Sequence, residues 1–139
     1  MTIRIDDLPL KSLPKISIPI VSQDFLEKVS IAMSEARKAA RVATETARRN
    51  AVRDDNGSIK GLFGFASVNT DESHTEVTQA LIELGYARPI GGLGYKIEGL
   101  VNGINTEMMI DTEEVAAEAA AEKLSELLGQ VFYVRSRLD

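Results

Sequence analysis

A long stretch without proline or glycine, residues 22–53, constrains the fold of this chain more than any other feature. Proline and glycine are the residues that most disfavour a helix interior, and acidic Asp24 and Glu27 lie where a helix dipole favours negative charge. Seven apolar side chains recur at steps of three and four, so at about 100° per residue they share one stripe. This stripe, the alanine seam, consists of Leu26, Val29, Met33, Ala36, Ala40, Ala43 and Ala47. The pattern predicts one long amphipathic helix over residues 22–53.

The alanine seam needs a partner surface, because small side chains let another backbone approach closely. Its heptad-like spacing favours helix pairing between subunits or tight docking on a sheet. Six basic residues lie off the seam: Arg37, Lys38, Arg41, Arg48, Arg49 and Arg53. Glutamates interrupt this basic surface, so we interpret it as a solvated face. A stripe that binds phosphates through Arg37, Arg41 and Arg48 is the alternative.

The segment before the helix, residues 1–21, contains three prolines. Proline removes a backbone donor and biases the preceding residue toward an extended conformation. Ile16, Ile18 and Ile20 alternate with other residue types, as in a strand. The segment is therefore predicted to be an extended arm that adds an edge strand to a sheet of this molecule or of a neighbour.

From residue 60 onward, strand and helix signals alternate. "GLFGFASVN" and "QVFYVRSRL" have the alternation of strands, and two helical segments between them are predicted to start with the caps Ser73 and Asp111. Asn102-Gly103, between alternating apolar residues, is a strong hairpin signal. The order strand, helix, hairpin, helix, strand predicts a ferredoxin-like βαββαβ module over residues 60–139. The fold class is thus α+β: an extended arm, a long amphipathic helix and this module, in a single domain.

The hairpin predicted at Asn102-Gly103 has a defined register. It places Ile97 opposite Met108 on one face and Glu98 opposite Glu107 on the other. Two glutamates facing each other are unfavourable unless an arginine, a cation or water separates them. We expect an arginine from the long helix or from a partner, rather than a metal ion.

The side of the sheet away from the module helices is predicted to carry aromatic and basic side chains. Residues 60–68, "KGLFGFASV", are similar to the ribonucleoprotein signature of RNA-recognition domains, whose sheet aromatics stack on bases. They depart from it by the insertion of Leu62 and by a place on the first strand instead of the third. Because an exposed aromatic patch is often covered by another element, we expect the long helix or another subunit to cover this face.

Enzyme signatures are missing from the sequence. His74, the only histidine, lies inside a predicted helix cap without a cysteine or serine constellation nearby, and the chain has no cysteine. "GGLG", residues 91–94, lacks the context of a nucleotide-binding loop. We therefore expect no catalytic residue, no metal and no cofactor.

These observations predict a non-catalytic, oligomeric binding or assembly protein that contacts itself and another protein through the arm, the alanine seam and the open sheet face. The absence of cysteine and of a long apolar run favours a cytoplasmic protein without a membrane span. The net charge of −5 disfavours a polyanion on average, although a local basic surface is compatible with it. The alternative is a binding module for RNA, DNA or a small phosphorylated ligand. That alternative uses Arg37, Arg41, Arg48, Phe63, Phe65, Tyr133, Arg135 and Arg137.

Overall fold

A computed structural model describes residues 21–57, 61–91 and 94–138. Over these residues the protein is mixed α+β, with three helices and one four-stranded antiparallel sheet. In chain order the elements are α1 (Gln23–Asn50), β1 (Gly64–Thr70), α2 (Glu76–Glu83), β2 (Ala87–Pro89), β3 (Tyr95–Ile97), α3 (Ile110–Leu128) and β4 (Tyr133–Leu138). The arm predicted over residues 1–21 lies outside the described residues, except for its last residue. None of the described helices is long and apolar enough to cross a membrane.

The long helix forms where the sequence predicts it, over slightly fewer residues. The side chain of Ser22 caps its start by accepting a hydrogen bond from the Phe25 N–H at 3.1 Å. The helix ends at Asn50, three residues before the predicted end, because the next residue adopts an extended conformation.

The alanine seam packs inside its own chain. Val29, Met33, Ala36 and Ala40 are buried in the hydrophobic core, and α1 contacts chiefly α3. The facing helix has its own buried alanines, including Ala117 and Ala120. Two surfaces of small side chains allow close helix packing. The middle of the seam is therefore covered within the same chain, chiefly by α3, whereas Leu26, Ala43 and Ala47 are half-buried.

The sheet has the strand order β2-β3-β1-β4, and each neighbouring pair is antiparallel. β4 pairs with nearly all of β1, from Gly64 opposite Leu138 to Asn69 opposite Tyr133. β3 pairs only with the last three residues of β1. Residues 64–67 therefore have β4 on one side and, among the described residues, no strand on the other. The loop before α3 binds there instead, since the Gly64 N–H donates to the Met108 carbonyl at 3.0 Å.

No hairpin forms at Asn102-Gly103, so this prediction is wrong. A turn does form there, with the Ile104 N–H donating to the Val101 carbonyl at 3.0 Å, but no strand flanks it. The real hairpin joins β2 to β3, with Ala87 opposite Ile97. Residues 98–109 form a loop instead, in which the Gly99 carbonyl accepts from Arg37 of α1 and the Met108 carbonyl accepts from the Gly64 N–H of β1.

The helix termini of the module differ from prediction by a few residues. Thr75, not Ser73, caps α2 by accepting a hydrogen bond from the Thr78 N–H at 3.1 Å. The start of α3 has no side-chain cap and precedes Asp111 by one residue. Its end is as predicted, because Gly129 adopts the left-handed conformation at φ 67°.

One continuous hydrophobic core joins the helices to one face of the sheet. Among the largest fully buried apolar side chains are Val68 from β1, Leu81 from α2 and Leu124 from α3. All three helices contribute to this cluster, α1 included. The opposite face of the sheet receives none of these helices, and it carries the candidate site.

Candidate functional site

The side chains of β1 alternate between the core and the opposite side of the sheet. Gly64 and Val68 are buried toward the helices, so the alternating residues Phe65, Ser67 and Asn69 lie on the other side. The residues opposite them on the neighbouring strands share that side. We call this surface the open face: Phe65, Ser67, Lys96, Tyr133, Arg135 and Arg137, together with Asn69, which is buried.

The structure brings five of the predicted binding residues together at this surface. Phe65 pairs with Arg137, and Tyr133 and Arg135 continue along the same strand. Phe63 adjoins them at the end of the row. Phe63 is 60% exposed and Phe65 is 37% exposed. The long helix does not cover these aromatics, contrary to expectation, because α1 packs on α3 on the other side of the sheet.

The open face is locally basic in a chain that is acidic overall. Lys96, Arg135 and Arg137 form no ion pair with any described residue. Cations that lie close together without carboxylate partners create a positive potential that attracts anions. Lys96 was not among the binding residues predicted from the sequence.

Tyr133 contributes a ring rather than a free hydroxyl. Its hydroxyl donates to the Asp71 carboxylate at 2.6 Å. This hydrogen bond, together with burial, raises the pKa of Tyr133 above its usual value. The phenol therefore stays neutral, and its ring forms one end of the open face.

A concavity of about 480 Å³ lies at the edge of the open face, beside the first half of β1, which has no β3 partner. Its lining includes the exposed side chains Phe65 and Arg137, the half-buried Lys96 and the buried side chains Thr106 and Glu113. A second hollow of about 340 Å³ shares Phe65, Lys96 and Arg137 with it. The two hollows thus adjoin each other along the basic and aromatic surface.

Glu113 is the most deeply buried charged side chain of the described structure, at 8% exposure. Its carboxylate accepts hydrogen bonds from the Thr106 hydroxyl at 2.5 Å and from the Ala66 N–H at 3.3 Å. Sequence reasoning missed this residue. The available signal was its spacing, because Glu113 is in phase with Ala117, Ala120 and Leu124 on the apolar stripe of α3.

The loop that forms one wall of the concavity has two residues in an unfavourable conformation. Glu107 and Met108 both have positive φ, at 57° and 56°. Such conformations persist where surrounding contacts stabilise them, and they are concentrated at functional sites. The two strained residues mark this loop as a candidate part of the site.

Arginines of α1 and of the segment after it bind this loop. Arg48 and Arg53 form ion pairs with Glu107 at 2.8 and 3.3 Å, and they lower the pKa of that carboxyl. Arg37 donates to the Gly99 carbonyl at 2.9 Å. Glu107 thus binds an arginine of the long helix, as expected. Glu98 forms an ion pair with Arg88 instead, and the two glutamates do not lie opposite each other.

These contacts change the interpretation of the predicted phosphate stripe. Two of its three arginines, Arg37 and Arg48, direct their donors to the protein's own loop. Arg41 is exposed and has no partner among the described residues. The stripe is therefore not a row of free cations, in contrast to the open face.

The glycine of the Phe-Gly-Phe motif is explained by packing. A Cβ on Gly64 would lie 2.7 Å from the Arg137 carbonyl oxygen and 2.7 Å from the Ile110 Cδ1 atom. Only glycine lets β1 and β4 approach the start of α3 this closely. The part of the motif available to a ligand is the pair of phenylalanines.

Comparison with known proteins finds no matching family model, curated protein or solved structure. Within the described residues, no group of three or more histidine, cysteine or acidic side chains is arranged to hold a metal ion. The chemistry of the site therefore has to be inferred from its own side chains. These offer aromatic rings, a recess and three cations that pair with no carboxylate in the described part of the chain.

Proposed function

We propose that this protein is a non-catalytic module that binds single-stranded nucleic acid on its open face. The observation that carries the proposal is the grouping of Lys96, Arg135 and Arg137, without carboxylate partners, around the exposed ring of Phe65. Single strands are bound by basic surfaces that follow the backbone and by aromatic side chains on which bases stack. The open face supplies both.

The arrangement of the strands supports this proposal. We propose that the module is ferredoxin-like, since β1 lies between β3 and β4, and β3 lies between β1 and β2. Phe65 then lies on a central strand, where a bound strand can cross the sheet. The assembly function expected from the alanine seam has weaker support, because four of its seven residues, Val29, Met33, Ala36 and Ala40, are buried in the core of one chain.

The number of unpaired cations sets the expected salt dependence. For single strands, the slope of log affinity against log salt is about −0.7 for each phosphate contact, so three contacts predict a slope of about −2. The affinity should then fall about 20-fold between roughly 50 and 200 mM salt. Removing one cation should reduce the slope to about −1.4.

Fluorescence anisotropy with a labelled single-stranded oligonucleotide tests the proposal. Arg137→Ala should weaken binding and reduce the salt slope, whereas Phe65→Ala should weaken binding with the slope unchanged, because stacking involves no counterions. Arg41→Ala is the matched control, since it removes an exposed arginine far from the open face. If no strand binds at about 50 mM salt up to roughly 100 µM protein, or if the Arg41 variant loses as much affinity as the Arg137 variant, the proposal is wrong.

A further inference from the structure

The carboxylate of Glu113 is unusual because it is buried without a cation. No described lysine or arginine forms an ion pair with it. A buried charge is costly unless it is paired or fully hydrogen-bonded. Glu113 accepts only two hydrogen bonds, although a carboxylate has about four acceptor sites. The unused acceptor sites lie in a side chain that lines the concavity.

The rest of the concavity restricts what those acceptors can bind. Lys96 and Arg137 repel a simple cation and attract an anionic group. Phe65 offers a ring on which a planar group can stack. The complementary ligand therefore combines a negative charge, a flat aromatic ring and N–H donors. A nucleotide has all three features.

Among the common bases, guanine fits an acceptor-only carboxylate best. Its Watson–Crick edge has two adjacent donors, the ring N1–H and the exocyclic amino group. Adenine and cytosine present an amino group next to an acceptor nitrogen, and thymine or uracil places one N–H between two carbonyls. A carboxylate can accept two hydrogen bonds from guanine, but it meets an acceptor when it faces any other base.

We infer that the concavity holds a guanine base of the bound strand, with Glu113 accepting hydrogen bonds from its N1–H and amino groups. This inference rests on the proposed function. Phe65 stacks on the base, and Lys96 and Arg137 lie near the adjacent phosphates. Glu113 thus determines base preference, while the cations determine overall affinity.

Nine-residue thymine strands with one central guanine, adenine, cytosine or inosine provide the test, again by anisotropy. The guanine strand should bind about tenfold more tightly than the others, and inosine, which lacks the amino group, should lose most of this preference. The inosine comparison uses the unaltered protein, so it does not depend on whether a Glu113 variant folds. Glu113→Gln should remove the preference for guanine and leave the salt slope unchanged.

The outcomes separate the two proposals. Equal binding of all four strands refutes the guanine site while the proposed function stands. Binding of no strand refutes both. Guanosine monophosphate should compete with the guanine strand. Direct binding of fluorescently labelled guanosine monophosphate, when no strand binds, identifies a nucleotide site and refutes the strand proposal.

Discussion

Enlarging Ala40 tests whether the alanine seam belongs to the core of one chain. Ala40 is 0% exposed on the side of α1 that packs on α3. Ala40→Leu adds three carbon atoms where two helices of small side chains are in contact. Overpacking of this kind destabilises a core by about 1–3 kcal/mol. The free energy of unfolding of a small protein falls by about 1–3 kcal/mol for each molar increase in urea, so the midpoint of the urea transition should fall by roughly 1 M.

Urea denaturation followed by circular dichroism measures this change, and light scattering measures the molecular mass of each variant. Val42→Leu is the matched control, because Val42 is an exposed apolar residue two positions away on the same helix. Its free energy of unfolding should stay within about 0.5 kcal/mol of the original. If Ala40→Leu has normal stability but an altered molecular mass, the seam pairs between subunits and the packing described above is wrong.

Two further predictions concern the loop and the motif. Because Arg48 and Arg53 lower the pKa of Glu107 in the folded state, the stability from this cluster is complete above the unfolded carboxyl pKa and is lost as the pH falls through the lowered value. Thermal melts from neutral pH to about pH 3 should show a smaller loss of stability for Glu107→Gln; an equal loss would contradict this. Gly64→Ala should reduce the free energy of unfolding by about 1–3 kcal/mol in urea titrations, because its Cβ meets backbone 2.7 Å away; a neutral effect would refute the packing explanation.

Much of the fold could be predicted from local patterns. The long helix, both module helices and the first and last strands of the chain form where the sequence indicates them, since periodicity and caps depend on neighbours a few residues apart. Alternation along the strands also predicted that Phe65, Arg135 and Arg137 lie on the same side of the sheet.

The hairpin could not be predicted in this way. Asn102-Gly103 has the local chemistry of a hairpin turn, and it does form a turn. Whether strands extend from it depends on competing partners elsewhere in the chain. Arg37, 62 residues from Gly99, binds that carbonyl, and β3 pairs with β2 instead. Local signals carry no information about such competitors.

The sequence by itself determined the types of element and the faces of each, because those follow from side-chain spacing along the chain. Only the tertiary structure decided that α3 covers the alanine seam, that α1 arginines hold the loop, and that Glu113 lines a recess. Each of these results depends on which distant surfaces fit together. Packing between elements is set by the whole chain at once, so the candidate site emerged only when the sheet and helices were in place.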